Sequence, residues 1–183
     1  MIQAGTEIGY KRSFLSYENK ASEGRTSANS WCETSCRTDP LVASVVDRIA
    51  MLTQIPHNNS ENLQLLRYEE GQFYKTHNDY IPYDRDCMQG VRVLTVFLYL
   101  NDVEEGGGTN FPGLDLTVES KRGRALIWPS VLDENPHEMD PRTNHQALPV
   151  IKGLKYGANA WLHQRDFETS TALGCINISR KLK

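Results

Sequence analysis

The chain has 183 residues, 39% of them hydrophobic, enough for one domain with a sizeable core and short of the usual size for two. Its formal net charge of −3 and pI near 6.0 come from acids and bases scattered along the sequence, with no Lys/Arg block to neutralise a run of phosphates, so nucleic-acid binding is not expected. No window approaches the run of about 20 apolar residues that spans a bilayer, and the opening MIQAGTEIGYKRS lacks the basic-then-apolar layout of a signal peptide.

Cys32 and Cys36 stand in NSWCETSCRTDP, a loop-like stretch where a short-range disulfide can close. Free thiols remain the alternative, and a zinc site would need a second ligand pair that the sequence does not offer. Residues 39–53, DPLVASVVDRIAMLT, carry Leu41, Val42, Val45, Val46, Ile49 and Leu52 at helical spacing, with Asp39 placed to cap and Pro40 at the first helical position. Asn58-Asn59-Ser60 and Asn177-Ile178-Ser179 fit the short glycosylation pattern, which also arises by chance.

From about residue 62 the pattern changes to short runs rich in β-branched and aromatic residues: NLQLLRY, QFYKTHNDY, VRVLTVFLYL, RALIWP, HQALPVI and YGANAWLHQ. Breaks fall at EEG, PYDRDCMQG, NDVEEGGG, the Pro-rich 130–144 stretch and KG. Many strands with no helices between them predict a mainly β (α+β) chain, a double-stranded β-helix or jelly roll behind at least one packing helix, and argue against a doubly wound sheet. VRVLTVFLYL is apolar on both parities, as a central strand covered on both faces would be.

In FYKTHNDY the side chains alternate along a strand, so His77 and Asp79 point one way and Asn78 the other. An imidazole nitrogen and a carboxylate oxygen are a facial pair for a divalent metal, and a 2-His-1-carboxylate site needs one more histidine. His57, in a loop, and His137, in an acidic loop, read most simply as surface residues. His163 follows Trp161 on the last strand and fits either role. His145 opens HQALPVI after a long loop and can enter from a different strand. Lys155 comes just past the Gly153 turn and shares parity with Trp161 along KYGANAW, so both can face one interior. Lysine is seldom buried without a partner, so an inward Lys155 implies an anion. Two neutral imidazoles and one carboxylate leave a bound Fe(II) positive, with open positions, and a keto acid that chelates it and anchors a far carboxylate on Lys155 fits both features.

With these residues in place, the chain resembles the 2-oxoglutarate and Fe(II)-dependent dioxygenases. Within them it is most similar to the catalytic domain of prolyl 4-hydroxylases of the plant and algal type. The resemblance rests on Arg25-Thr26-Ser27, LLRYEEGQFYKTHNDY, RVLTVFLYLNDVEEGGGTNFP and RGRALIWPSVLDENPHEMDPRTNHQALPVIKGLKYGANAWLH, over roughly residues 10–175. His-x-Asp alone is weak evidence, whereas the ordered set His77, Asp79, His145, Lys155 and Trp161 with matching flanks is specific. The resemblance implies iron on His77, Asp79 and His145, which are then the catalytic centre. It implies the distal carboxylate of 2-oxoglutarate on Lys155, with Tyr68 lining that pocket, and Tyr74, Arg92 and Trp161 around a peptide substrate. As plain alternatives, Tyr68 and Tyr74 read as core aromatics, Arg92 as a surface charge and Trp161 as packing.

The chain departs from the family at Gly107-Gly108-Thr109, preceded by another glycine, where Gly-Gly-Glu-Thr is usual. A negative side chain near the substrate groove is therefore expected to be missing. PYDRDCMQG reads as a lid, and the N-terminus reads as short, as in a fragment of a longer precursor. The resulting expectation is a single Fe(II)/2-oxoglutarate dioxygenase domain over residues 1–183. It would hydroxylate peptidyl proline at carbon 4 in a proline-rich peptide or protein, using O2, with L-ascorbate rescuing oxidised iron, in the endoplasmic reticulum or secretory pathway. The rival readings are a hydroxylase of lysine or a small molecule and a non-catalytic peptide-binding module.

Overall fold

The computed structural model describes residues 1–13 and 23–175. In chain order the elements are α1 (Ile2–Ile8), β1 (Lys11–Arg12), β2 (Ala28–Trp31), α2 (Thr34–Thr38), α3 (Pro40–Thr53), β3 (Gln64–Tyr68), β4 (Tyr74–His77), β5 (Arg92–Tyr99), β6 (Glu105–Gly106), β7 (Thr109–Phe111), β8 (Leu116–Val118), β9 (Ala125–Pro129), β10 (His145–Ala147), β11 (Val150–Lys152), β12 (Lys155–His163) and α4 (Phe167–Ala172). The Asn177-Ile178-Ser179 motif lies outside the described residues.

The antiparallel strands form a large sheet in the order β1-β2-β3-β12-β5-β9, a smaller sheet in the order β4-β10-β7-β8, and a two-stranded pair β11-β6. The core has two parts, and strand alternation decides which residue joins which. Leu63 just before β3 and Leu65 within it, with Ala158, Ala160 and Leu162 of β12 and Val96 of β5, face α3, where Val42, Ile49 and the Cys32–Cys36 disulfide complete one cluster. Leu66, Tyr68, Phe97, Tyr99 and Trp128 face the opposite way and pack on Phe111 and Val150, which brings the two sheets together as a jelly roll. β12 is thus covered on both faces, and β5, between β12 and β9, is an interior strand as its composition implies.

Asp39 caps α3, its carboxylate accepting from Leu41 N at 2.8 Å and Val42 N at 3.2 Å, and Pro40 supplies the first turn. Only part of the expected apolar stripe is seated. Val42 and Ile49 are buried and Val45 and Val46 pack beside them, but Leu41 and Leu52 flank that face and are largely exposed. Four further features differ from the sequence reading. NSWCETSC is a strand running into the short helix α2, with the disulfide tying the two, and it is not a loop. α1 and α4 join the expected helix. The glycine-rich break NDVEEGGG contains β6, and β7 and β8 follow it ahead of RALIWP. HQALPVI divides into β10 and β11, because Pro149 has no N–H to continue a ladder.

Candidate active site

β4 and β10 pair antiparallel with His77 and His145 as direct register partners, so the fold places the two imidazoles side by side. Their ring centroids are 4.3 Å apart. Asp79 lies past the end of β4, in a bend, so strand alternation alone does not aim it as the sequence reading supposed. The bend is set by Asn78, whose Oδ1 accepts from Tyr80 N at 2.8 Å. Its Nδ2 donates to Asp140 O and Asn144 Oδ1 on the segment that leads into His145. Asp79 Oδ2 then accepts from the Thr95 hydroxyl of β5 at 2.6 Å.

One ligand atom from each of His77, Asp79 and His145 lies within 4.8 Å of the others, the geometry of three donors around one ion. His145 Nε2 is 3.7 Å from Asp79 Oδ2 and His77 Nε2 is 4.0 Å from Asp79 Oδ1. Each Nδ1 sits against a backbone carbonyl, His77 on Lys75 O at 2.8 Å and His145 on Thr143 O at 2.9 Å. A proton on Nδ1 donating to that carbonyl leaves the Nε2 lone pair facing the centre. Burial and the neighbouring His145 push the His77 pKa down to about 3, so the ring is neutral as a ligand must be. Burial pushes the Asp79 carboxyl up, but His145, His77, Arg92 and the Thr95 hydroxyl together hold it below its ordinary value, as a carboxylate. Neutral N, neutral N and anionic O suit a divalent iron of the facial-triad kind. Tyr74 stacks on His77 at 3.6 Å between centroids, and Trp128 and Phe111 cover His145 at 4.6 and 5.7 Å.

The same cavity, about 460 Å³, extends to Lys155. The side chain is fully buried, and its Nζ has no hydrogen-bond partner among the described residues. Tyr68, Phe97 and Tyr99 ring the ammonium at 5.2–5.5 Å from their centroids. Burial pushes the Lys155 pKa down to about 7 against a small opposing pull from Glu119. Leaving such a donor unpaired costs several kcal/mol, on the order of 1–3 or more, so the pocket has the chemistry of a carboxylate receptor. Two glycines make this end possible. Gly153, at φ +96, turns β11 into β12, and a Cβ on Gly157 would stand 2.4 Å from the Phe97 ring.

Lys155, Gly157, Asn159 and Trp161 of β12 alternate onto the cavity side, which puts Lys155 at the deep end and Trp161 roughly 20 Å along the strand from it. Tyr68 and Tyr74 line the cavity with them. Arg92 is no surface charge: its guanidinium lies 3.7 Å from the Trp161 ring centroid and its Nε donates to Glu61 Oε1 at 2.7 Å. Glu61 also meets His163 Nε2 at 2.9 Å, and His163 Nδ1 sits 2.8 Å from Gly90 O, so His163 belongs to the network behind Arg92. His57 and His137 are exposed. The 81–89 segment contributes Ile81, Pro82 and Tyr83 to the rim and is pinned by Arg165 on Cys87 O and Met88 O and by Arg85 on His137 O. Glu61, Thr95 and Trp31, which also lines the cavity, were missed by sequence reasoning because their partners lie far along the chain. At Gly108 the missing acid has a neighbour of the same charge, Glu119 Oε2 lying 3.3 Å from where a Cβ would be.

A family model described as the 2OG-Fe(II) oxygenase superfamily matches residues 63–163, more than half of the chain. Prolyl 4-hydroxylase subunit alpha-2 of Gallus gallus is 36% identical over 147 residues, covering 79% of this chain and 27% of that protein. Probable prolyl 4-hydroxylase 6 of Arabidopsis thaliana is 35% identical over 173 residues, covering 82% and 57%. The chain therefore spans little more than a quarter to about half the length of these relatives. Among solved structures, the viral collagen prolyl hydroxylase of Paramecium Bursaria Chlorella virus-1, as its 2OG complex, superposes with a TM-score of 0.67 at 28% identity, over 76% of this chain and 80% of that one.

Proposed function

This chain belongs to the 2OG-Fe(II) oxygenase superfamily, and from that membership we propose that it is a prolyl 4-hydroxylase, adding oxygen to carbon 4 of peptidyl proline in a proline-rich substrate. The observation that carries the reading is the pairing, in one cavity, of the His77, Asp79 and His145 donor set with the buried, hydrogen-bond-free ammonium of Lys155. The donor set suits Fe(II), and Lys155 suits the far carboxylate of 2-oxoglutarate, with Tyr68 in the wall beside it. The relatives, named as prolyl 4-hydroxylases, support the choice of substrate.

Iron and 2-oxoglutarate, when bound, supply the oxidant from O2, one oxygen atom going to the C–H bond and the other to succinate as CO2 leaves. The chain's own residues hold and orient. Thr95 and the two backbone carbonyls fix the three donors, Trp128 and Phe111 keep water from one side of His145, and Tyr74 and Trp161 line the cavity in which a pyrrolidine ring would pack. Arg92, steadied by Glu61, stands where it can donate to a peptide carbonyl. L-ascorbate is proposed as the reductant that rescues oxidised iron. Residence in the endoplasmic reticulum is proposed on the Cys32–Cys36 disulfide, which suits an oxidising lumen. Incubation with proline-rich peptides, Fe(II) and 2-oxoglutarate is expected to yield succinate together with 4-hydroxyproline by mass spectrometry. Succinate release that peptides do not accelerate, with no hydroxyproline, would overturn the prolyl reading in favour of a lysyl or small-molecule target.

A further inference from the structure

Three buried side-chain donors in the cavity wall have no hydrogen-bond partner among the described residues: Lys155 Nζ, Trp161 Nε1 and Trp128 Nε1. Lys155 is placed for a far carboxylate, which leaves the two indoles. The sheet register sets them in one row. Trp161 of β12 is opposite Thr95 of β5, and Thr95 is opposite Trp128 of β9, so the three side chains leave the same face of the large sheet at spacings of roughly 4.8 Å. The middle member spends its hydroxyl on Asp79 Oδ2, so the two indoles stand on either side of the residue that holds the metal carboxylate. Their surroundings differ. Arg92 lies over the Trp161 ring, 3.7 Å from its centroid. Trp128, on the other side of Thr95, is only 5% exposed and packs against His145 at 4.6 Å and nearly perpendicular to Phe111 at 5.4 Å between ring centroids. It is therefore the indole that stands beside the metal ligands and away from Arg92.

Resting on the reading of 2-oxoglutarate as co-substrate, we propose that Trp128 is a co-substrate-binding residue whose indole N–H donates to the metal-side carboxylate of 2-oxoglutarate. A keto acid that chelates through its carbonyl and one carboxylate oxygen leaves the second carboxylate oxygen with lone pairs to satisfy, and in a cavity shielded from water that oxygen needs a protein donor. The other donors near the triad are committed. Thr95 donates to Asp79, each histidine Nδ1 faces a backbone carbonyl, and Lys155 serves the opposite end of the same molecule. A buried N–H without an acceptor costs the free protein stability, and the bond formed when a carboxylate arrives is charge-assisted. The test uses Trp128→Phe and a second protein with benzothienylalanine at position 128, which keeps both rings and removes only the N–H. Equilibrium dialysis measures Mn(II) binding, and calorimetry on the Mn(II)-loaded protein measures 2-oxoglutarate binding. Both replacements are expected to keep the Mn(II) affinity of wild type and to bind 2-oxoglutarate roughly ten- to a hundredfold more weakly. Unchanged 2-oxoglutarate affinity in the benzothienylalanine protein would mean that the indole only packs against His145, and a parallel loss of Mn(II) affinity would mean that the N–H serves Asp79. Either result overturns the proposal and leaves the co-substrate reading standing. Failure of Mn(II)-loaded wild type to bind 2-oxoglutarate would overturn the co-substrate reading and this inference with it.

Discussion

Thr95 shows how much of the metal site lies in residues that touch no metal. Its hydroxyl is the only side-chain donor bonded to Asp79 among the described residues, and it fixes which oxygen faces His145. Thr95→Val keeps the shape and removes that bond, so iron affinity is expected to fall roughly ten- to a hundredfold with the fold intact. Asp79→Ala should weaken iron binding further and abolish turnover outright; equilibrium dialysis against Fe(II) under nitrogen measures the affinity of both variants, and succinate release in air measures turnover. Full turnover by folded Asp79→Ala at ordinary iron concentrations would remove Asp79 from the site. Lys155 gives a pH signature. Burial holds it near 7, against an ordinary 10.5, so above pH 7 the free protein carries a neutral amine. An arriving carboxylate favours the ammonium, so binding of 2-oxoglutarate must take up a proton, and apparent affinity should fall as pH rises from 7 towards 9. For folding the sign runs the other way: between the two values the unfolded chain binds more protons, so this group's contribution to stability grows with pH and is least below 7. Calorimetry at pH 8.5 in two buffers of different ionisation enthalpy should register the proton uptake, and buffer-independent heats would sink this account.

At the level of elements, the strand β12 and the loop before β3 act together on Arg92. Glu61 precedes β3, His163 ends β12 and Arg92 opens β5, and the three close a buried polar cluster behind the Trp161 face. Removing the carboxylate leaves a nearly buried guanidinium unpaired, so Glu61→Ala should cost about 3–5 kcal/mol of stability. The gentler Glu61→Gln should fold, raise KM for the peptide and leave peptide-independent 2-oxoglutarate decay alone. Unchanged peptide KM in Glu61→Gln would mean that Arg92 needs no such support. The sequence was readable where one short segment held all the signals: Asp39-Pro40 announced α3, apolar and aromatic runs announced β3, β5 and β12, and His77-x-Asp79 announced a donor pair for a metal. It was opaque where the signal is a contact between distant segments. Glu61 and His163 are 102 residues apart, Thr95 and Asp79 are 16, and β2 is a four-residue strand with mixed composition that only its pairing with β3 makes a strand. Asp79 reached the right place for a reason the strand pattern did not contain, the turn that Asn78 builds after β4 has ended.

Across the whole molecule, the site is divided between the two sheets. His77 and His145 come from β4 and β10 of the smaller sheet, whereas Lys155 comes from β12 of the larger one, and Asp79 is fastened to β5 of the larger sheet through Thr95. A metal alone draws together groups from the smaller sheet and the bend. A keto acid that chelates that metal and reaches Lys155 joins the two layers across the core. Ligands that bind only the folded state stabilise it by about 2.7 kcal/mol at a hundredfold excess over Kd, and in a chain of this size each kcal/mol raises Tm by about 2–4 °C. Thermal unfolding under nitrogen is therefore expected to show a modest rise with Mn(II), little with 2-oxoglutarate alone, and a rise with both that exceeds the sum. In Lys155→Ala the Mn(II) increment should remain and the 2-oxoglutarate increment should shrink, because the chelate is left without its anchor on the larger sheet. If 2-oxoglutarate stabilises Lys155→Ala as much as wild type, the far carboxylate is held elsewhere, and the unpaired ammonium of β12 needs another explanation.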